Sequence, residues 1–162
     1  MDPVRLYNQS LDLLEGQKIP KDEKRSFEVN AEAAEAGYHD AVLAMGWYYL
    51  NGVGVPKNID EARRWYRKSA RQKEPRAMFS LGRIAYDDRN FEEALEWFQA
   101  AKDHGHVRST YWLAKFYWRG LGIRQDRRVA EGLIQDAAKR QDPEARRALR
   151  FLSRSCRRNR QA

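Results

Sequence analysis

Cysteine and long apolar runs are the scarcest features of this sequence. Cys156 is the one cysteine among 162 residues, which excludes an internal disulfide and favours a reducing compartment. No stretch of 18 apolar residues is present to cross a membrane. The first residues, MDPVRLYNQSLDLL, have neither a basic start nor an apolar run followed by small residues, unlike a signal peptide. These absences predict a cytoplasmic protein that does not contact a membrane.

Charged residues, in contrast, are abundant. They make up 33% of the chain beside 42% hydrophobic residues, a balance that predicts one soluble, helix-rich domain with a proper core. The 31 Lys and Arg outnumber the 23 Asp and Glu, so the net charge is +8. Much of the excess lies between residues 139 and 160. Such a charge raises the affinity for acidic partners, nucleic acid included, without identifying one.

A short glycine motif occurs twice, as GVGV at 52–55 and GLGI at 120–123. It follows similar segments at register positions Ala41 and Ser109, and the same register returns at Ala77 and Ala145, with spacings of 36, 32 and 36 residues. A degenerate first copy precedes them. Periods in this range predict a stacked array of helical units.

The glycine motif has two interpretations. A phosphate-binding loop would need a strand before it and Gly-Lys-Ser/Thr after it, and both are absent. A helix–helix turn needs residues that accept positive φ, which glycine does without strain. We therefore assign a structural turn to Gly52, Gly54, Gly120 and Gly122.

Each unit is predicted to hold two helices. In the second unit the first helix covers about 41–50, and the second starts near 60. The second helix places one apolar stripe at helical spacing, formed by Ala62, Trp65, Tyr66, Ser69 and Ala70. From Pro143 a last helix is expected to cover the fourth unit, with Leu149, Phe151 and Leu152 facing inward.

The second and fourth units each carry further residues at linked positions that match, or nearly match, one repeat pattern. They are Ala41, Met45, Gly46, Tyr49, Gly52, Gly54, Val55, Ala62, Trp65, Tyr66 and Ala70 in the second, and Leu113, Tyr117, Gly120, Gly122, Asp126 and Ala130 in the fourth. This set resembles the Sel1-like repeat family, a relative of the tetratricopeptide repeat. The third unit departs from it, since DDRN at 87–90 replaces the glycine loop and makes a shorter, tetratricopeptide-like turn.

The resemblance implies an all-α fold, a right-handed solenoid of about four helical hairpins plus a C-terminal helix. The units would cover 3–38, 39–74, 75–106 and 107–142, followed by a capping helix at 143–153. A basic, flexible tail would occupy 154–162.

No catalytic or cofactor site is predicted. The DHGH segment at 103–106, with His39, could supply zinc ligands, but Gly105 has the same register as Gly37, which favours a turn between units. Cys156 lies among arginines that could lower its pKa, yet no base or oxyanion site accompanies it. We expect no metal, no cofactor and no enzymatic activity.

The first helices of a solenoid usually line its concave, partner-binding face. By analogy with tetratricopeptide packing, fixed offsets from Met45, Leu81 and Leu113 select the residues that point inward. The predicted partner-binding residues are Tyr7, Leu43, Trp47, Asn51, Arg76, Phe79, Arg83, Tyr86, Arg108, Tyr111, Lys115, Trp118 and Arg119. Aromatic residues with arginine are typical of binding hot spots, although any one aromatic residue could instead pack between helices.

The resemblance implies a protein–protein interaction module, with an adaptor or assembly role or, in bacteria, immunity to a secreted toxin or handling of an effector. The basic and aromatic groove predicts a partner with an acidic segment and a large apolar anchor. The alternative is nucleic-acid binding through groove arginines and the RSCRRNR segment at 154–160. A steep loss of affinity with salt would favour that alternative. The oligomeric state stays open.

Overall fold

A computed structural model of the protein describes residues 2–158, with side chains as far as Leu152. Within this range the chain forms nine helices and no strand, which confirms the all-α prediction. The helices are α1 (Pro3–Glu15), α2 (Glu23–Glu35), α3 (His39–Asn51), α4 (Ile59–Arg71), α5 (Pro75–Asp87), α6 (Phe91–Asp103), α7 (Val107–Arg119), α8 (Arg127–Lys139) and α9 (Pro143–Arg158). No helix in the described range is long and apolar enough to cross a membrane.

Local sequence signals set the ends of the helices. The second helix of each repeat begins after an Asp or Asn whose side chain accepts a hydrogen bond from a backbone N–H of the first turn; these residues are Asp22, Asn58, Asn90 and Asp126. Helices α3 and α7 end at left-handed glycines. The φ values of Gly52, Gly54, Gly120 and Gly122 are 71°, 66°, 70° and 61°, as a helix–helix turn requires.

The chain packs as two compact units, Met1–Leu81 and Gly82–Ala162. Such subdivision follows from repeat architecture, because each helix contacts only its neighbours. A buried cluster in the first unit joins α1, α2 and α3; it consists of Leu6, Leu13, Val29, Ala33, Ala34, Ala41, Val42 and Met45. A cluster in the second unit joins α7, α8 and α9, and consists of Ala114, Ile134, Ala137, Ala138 and Ala145.

Helix α9 differs from its prediction in two respects. Leu149 and Leu152 pack against the second cluster, but Phe151 is 73% exposed, so the expectation that it faces inward was wrong. Side chains two residues apart in a helix point in directions that differ by about 200° around the helix axis. Phe151 therefore lies on the face opposite Leu149. The helix also continues past residue 153 to Arg158. The rest of the predicted tail, 159–162, lies outside the described residues.

Candidate partner-binding surface

The first unit carries an open cavity of about 330 Å³ on its first helices, which we call the apolar groove. Helices α1, α3 and α5 form most of it, and α4 adds one tyrosine. The groove is lined by Tyr7, Leu11, Leu14, Asp40, Leu43, Ala44, Trp47, Tyr48, Tyr66, Arg76 and Ser80. Four residues predicted from the sequence therefore lie together here: Tyr7, Leu43, Trp47 and Arg76.

Trp47 is the exposed anchor of the apolar groove. Its side chain is 40% exposed and meets the ring of Tyr48 edge-on, with centroids 5.4 Å apart. Tyr48 is itself buried, and its hydroxyl lies 2.6 Å from Ser26 Oγ. Burial raises the pKa of Tyr66 to about 12, so its phenol stays neutral. Trp47, supported from below by the buried Tyr48, is thus the aromatic side chain that the groove offers to a ligand.

The charged residues at the groove are already paired with one another. Arg76 Nη2 donates to Asp40 Oδ1 at 2.8 Å, and Arg76 Nε donates to Glu74 Oε1 at 2.8 Å. His39 Nε2 lies 2.9 Å from Glu74 Oε2. Burial raises the pKa of Glu74, but hydrogen bonds from Arg76 and His39 outweigh it and lower the pKa to about 2. The positive charge of Arg76 is therefore balanced inside the first unit.

The second unit carries a cavity of about 450 Å³, which we call the basic pocket. Helices α7 and α9 form its walls, and α8 contributes one side chain to its floor. The pocket is lined by Tyr111, Ala114, Lys115, Trp118, Arg119, Ile134, Glu144, Arg147, Ala148, Phe151 and Leu152. Four more of the predicted residues lie together here: Tyr111, Lys115, Trp118 and Arg119.

Positive charge in the basic pocket is not neutralised locally. Lys115, Arg119 and Arg147 face one carboxylate, Glu144, and none of the three cations forms an ion pair with another described side chain. Burial lowers the pKa of Lys115, and the charges of Arg119 and Arg83 lower it further. An arriving anion would relieve this repulsion.

The Trp112 ring contacts two basic side chains, one of which is a cation of the basic pocket. The Lys115 Nζ lies 3.8 Å from the centroid of the Trp112 ring, and the Arg83 Cζ lies 4.8 Å from it. The indole is stacked in turn on buried Phe98, with centroids 5.2 Å apart. Cation–π contacts of this kind fix the direction of long basic side chains. The sequence did not single out Trp112 as part of the site.

The remaining predicted residues line neither of the two cavities. Tyr86 packs against Phe91, Trp112 and Phe116, with centroids between 5.0 and 6.0 Å apart, which is the packing role left open above. The others are Arg83, which lies over the Trp112 ring, half-buried Phe79, exposed Arg108 in the first turn of α7, and Asn51, whose side chain donates to the Trp47 carbonyl.

Helix α9 supplies pocket residues that the sequence did not indicate. The predicted inward-pointing residues end with those of α7, the first helix of the fourth repeat. One more period of 36 residues leads from Tyr111 to Arg147 and from Lys115 to Phe151. The repeat period therefore contains the signal for these residues, since α9 stands where the first helix of a further repeat would begin.

No group of three or more His, Cys, Asp or Glu side chains in the described part of the chain could hold a metal ion. His39 is hydrogen-bonded to Gln72 and Glu74. The Nδ1 of His106 lies 2.9 Å from the Ser109 hydroxyl and accepts from the Ser109 backbone N–H as part of the α7 cap. The side chain of Cys156 lies outside the described residues.

Among protein-family models, one matches this chain over most of its length. The model of the Sel1 repeat matches residues 13–38, 39–74, 75–106 and 107–142. A sel1-like repeat-containing protein of Acanthamoeba polyphaga mimivirus is 32% identical over 73 residues, which is 45% of this chain and 14% of that protein.

Two solved structures show the same architecture. A Sel1 repeat protein from Oxalobacter formigenes is 30% identical, with a TM-score of 0.85 over 91% of this chain and 62% of that one. An immunity protein from Pseudomonas aeruginosa is 18% identical, with a TM-score of 0.63 over 88% of this chain and 55% of that one. The chain spans less than two thirds of each of these proteins.

Proposed function

Because the chain belongs to the Sel1 repeat family, whose members are protein–protein interaction modules, we propose that it is a non-catalytic module that docks another protein on its first helices. The observation that carries the proposal is the pair of open cavities, one on the first helices of each unit. Each cavity is lined by aromatic side chains, and aromatic residues at the centre of a contact dominate its binding energy.

The partner that fits these cavities has at least one large apolar side chain and an acidic segment. Trp47 at the apolar groove and Phe151 at the basic pocket are exposed large hydrophobic side chains, available for an apolar anchor. Lys115, Arg119 and Arg147 add unneutralised positive charge. An adaptor or assembly role is the form of the proposal that requires such binding and no chemistry.

Immunity to a secreted toxin or effector is a narrower form of the proposal. It requires the bound partner to be a toxin, and the fold shared with an immunity protein is compatible with it. A cytoplasmic location belongs to the same proposal, and cell fractionation with an antibody against the chain tests it.

Capture from a lysate of the source cells tests the docking surface. The baits are the full chain, Trp47→Ala, Phe151→Ala and a control, Val129→Ala, since Val129 is also 40% exposed but lines neither cavity. A protein retained by the wild type and the control, and lost by either of the other two folded variants, supports docking on the first helices. If all four baits retain the same proteins, the cavities are not the docking surface.

Nucleic-acid binding is the second candidate, favoured by the cluster of Arg83 and Lys115 on Trp112, since cations beside aromatic rings suit single-stranded nucleic acid. Recovery of nucleic acid alone, lost as salt rises, would support it. A partner held through apolar anchors keeps most of its affinity at the same salt concentrations.

A further inference from the structure

We propose that the basic pocket recognises a carboxylate side chain of a peptide segment together with a neighbouring large apolar side chain, while the apolar groove accepts only uncharged side chains. This rests on the proposed function, and it deepens that function by assigning different parts of the ligand to the two cavities. The occupant of the basic pocket is thus an acidic peptide segment of the partner protein.

The two cavities stand at equivalent positions but differ in chemistry. Helices α3 and α7 are the same length and occupy the same register, as do the starts of α5 and α9. In this register Trp47 of the apolar groove is replaced by Lys115, and Arg76 by Glu144. The same local architecture therefore presents an exposed indole in the first unit and an ammonium group in the second.

Charge balance separates the two cavities further. In the first unit, Asp40 and Arg76 form an ion pair with a 2.8 Å separation. The residues at the equivalent positions of the second unit, Arg108 and Glu144, form no ion pair with each other. Three cations of the basic pocket are consequently left with one carboxylate. An entering carboxylate gains charge-assisted hydrogen bonds here, whereas in the apolar groove it would have to break existing ones.

The position of Lys115 prepares it for this role. Its Nζ is held 3.8 Å from the Trp112 ring, the residue is half-buried, and Arg83 and Arg119 act on it as like charges. An exposed lysine on a flexible stem loses more side-chain entropy on binding. Because Lys115 is already ordered, pairing it with a ligand carboxylate costs less.

The apolar side of the pocket selects a peptide over a polyanion. Ala114, Ile134 and Leu152 lie beside the cations, and a cavity of about 450 Å³ falls in the range that holds a ligand group. A nucleic-acid backbone would bring phosphates against Glu144 and leave the apolar floor uncovered. A peptide can place an Asp or Glu at the cations and a Leu or Phe on the floor.

The test uses the full-length chain and an array of synthetic 12-residue peptides in matched sets. Each set contains one peptide with Glu two residues from Leu or Phe, its Glu→Gln form, and its form with Ala in place of the apolar residue. The dissociation constants of the strongest binders are then measured by calorimetry. We expect Glu→Gln to weaken binding to the wild type about ten-fold, and loss of the apolar residue to weaken it similarly.

Matched protein variants locate the effect. Lys115→Gln/Arg119→Gln removes two pocket cations, and Arg124→Gln/Arg128→Gln removes two exposed cations of the second unit that do not line the pocket. The ratio of the dissociation constants of the Gln and Glu peptides should shrink to about two-fold in the first variant and stay near ten-fold in the second. If the first variant fails to fold, the peptide substitutions on the wild type still decide between the outcomes.

Several outcomes would overturn the proposal. The first is an array in which no peptide binds, and the second is one in which Glu-containing peptides bind no better than their Gln forms. The third is a result in which the affinity difference between Glu and Gln peptides shrinks equally in both protein variants. Displacement of bound peptide by a dT oligonucleotide, abolished by Lys115→Gln/Arg119→Gln, would assign the pocket to nucleic acid. If apolar peptides still bind and Trp47→Ala weakens them, only this inference fails and the proposed function stands.

Discussion

The turn after each second helix passes through one residue with positive φ. Gly37 and Gly105 fill this position in two repeats, with φ of 84° and 91°, but Lys73 and Gln141 fill it in the others, with φ of 62° and 72°. Residues other than glycine are strained by about 1–2 kcal/mol in this conformation. Two of the four turns therefore carry a local conformational cost that glycine would remove.

Lys73→Gly should stabilise the first unit. Glycine removes the strain energy, and this gain exceeds the free-energy cost of the greater conformational entropy that glycine gives the unfolded chain. We therefore expect a gain of about 0.5 kcal/mol in the free energy of unfolding. Arg71→Gly, at the exposed last position of α4, is the control and should destabilise by about 0.5–1 kcal/mol. Urea unfolding of both variants measures this; a loss of stability in Lys73→Gly would show that the lysine side chain itself supports the turn.

Glu74 connects the start of α5 to α3, because its carboxylate interacts with Arg76 of α5 and with His39 of α3. Its pKa of about 2 lies below the ordinary value of 4.5, so its stabilising effect is complete above pH 4.5 and is lost as the pH falls towards 2. His39 acts in the opposite direction: the hydrogen bond with Glu74 raises its pKa above 6.5. Its contribution is complete below pH 6.5 and is lost as the pH rises.

Glu74→Gln should therefore lower the free energy of unfolding at pH 7 by about 2 kcal/mol. The difference from the wild type should fall to about half at pH 3, which lies between the ordinary pKa of 4.5 and the pKa of about 2 in the folded protein. Urea unfolding at both pH values measures this, with the exposed Glu96→Gln as a control that changes little at either pH. An equal loss at pH 3 and pH 7 would mean that packing, and not charge, makes Glu74 important.

At the scale of helices and loops, the glycine loop of the second repeat packs against the start of α2. A Cβ placed on Gly54 would meet the backbone carbonyl oxygen of Glu23, whereas a Cβ on Gly37 would meet nothing within 4 Å. Both glycines have positive φ, 66° and 84°. Only Gly54 is therefore required for close approach as well as for backbone conformation.

Alanine at these two glycines should separate the two requirements. Gly37→Ala carries the conformational strain alone, and we expect a loss of about 1 kcal/mol. Gly54→Ala adds a backbone collision that forces the loop away from α2, and we expect a loss of about 3 kcal/mol or more. Thermal and urea unfolding measure both. Equal losses would show that the loop moves away from Glu23 without cost.

The sequence predicted the helical elements because their signals are local and periodic. The 36- and 32-residue register placed Trp47 and Lys115 on first helices, and glycine pairs indicated the turns. Features that depend on contact with one particular residue far along the chain were not predictable. The pairing of Arg76 with Asp40 joins residues on different helices, and the turn at Lys73 needs a backbone conformation that its residue type does not suggest.

At the scale of the whole molecule, a net charge of +8 and a local cation cluster have different consequences. Net charge attracts any polyanion, with an affinity that falls steeply as salt rises. The basic pocket, in contrast, combines three cations with an apolar floor and aromatic walls. Two variants with the same net charge, one altered inside the pocket and one outside it, distinguish these effects.

Lys115→Gln/Arg119→Gln and Arg124→Gln/Arg128→Gln each lower the net charge by two. If the chain binds nucleic acid only through its overall charge, both variants should lose affinity for a 20-nucleotide dT probe by factors that agree within about two-fold. Fluorescence anisotropy from 50 to 300 mM salt measures this. The wild type should show the steep salt dependence of counterion release, while its binding of an acidic, Leu-containing peptide should change less. A selective loss of probe binding in the pocket variant, at every salt concentration, would instead identify the basic pocket as a nucleic-acid site.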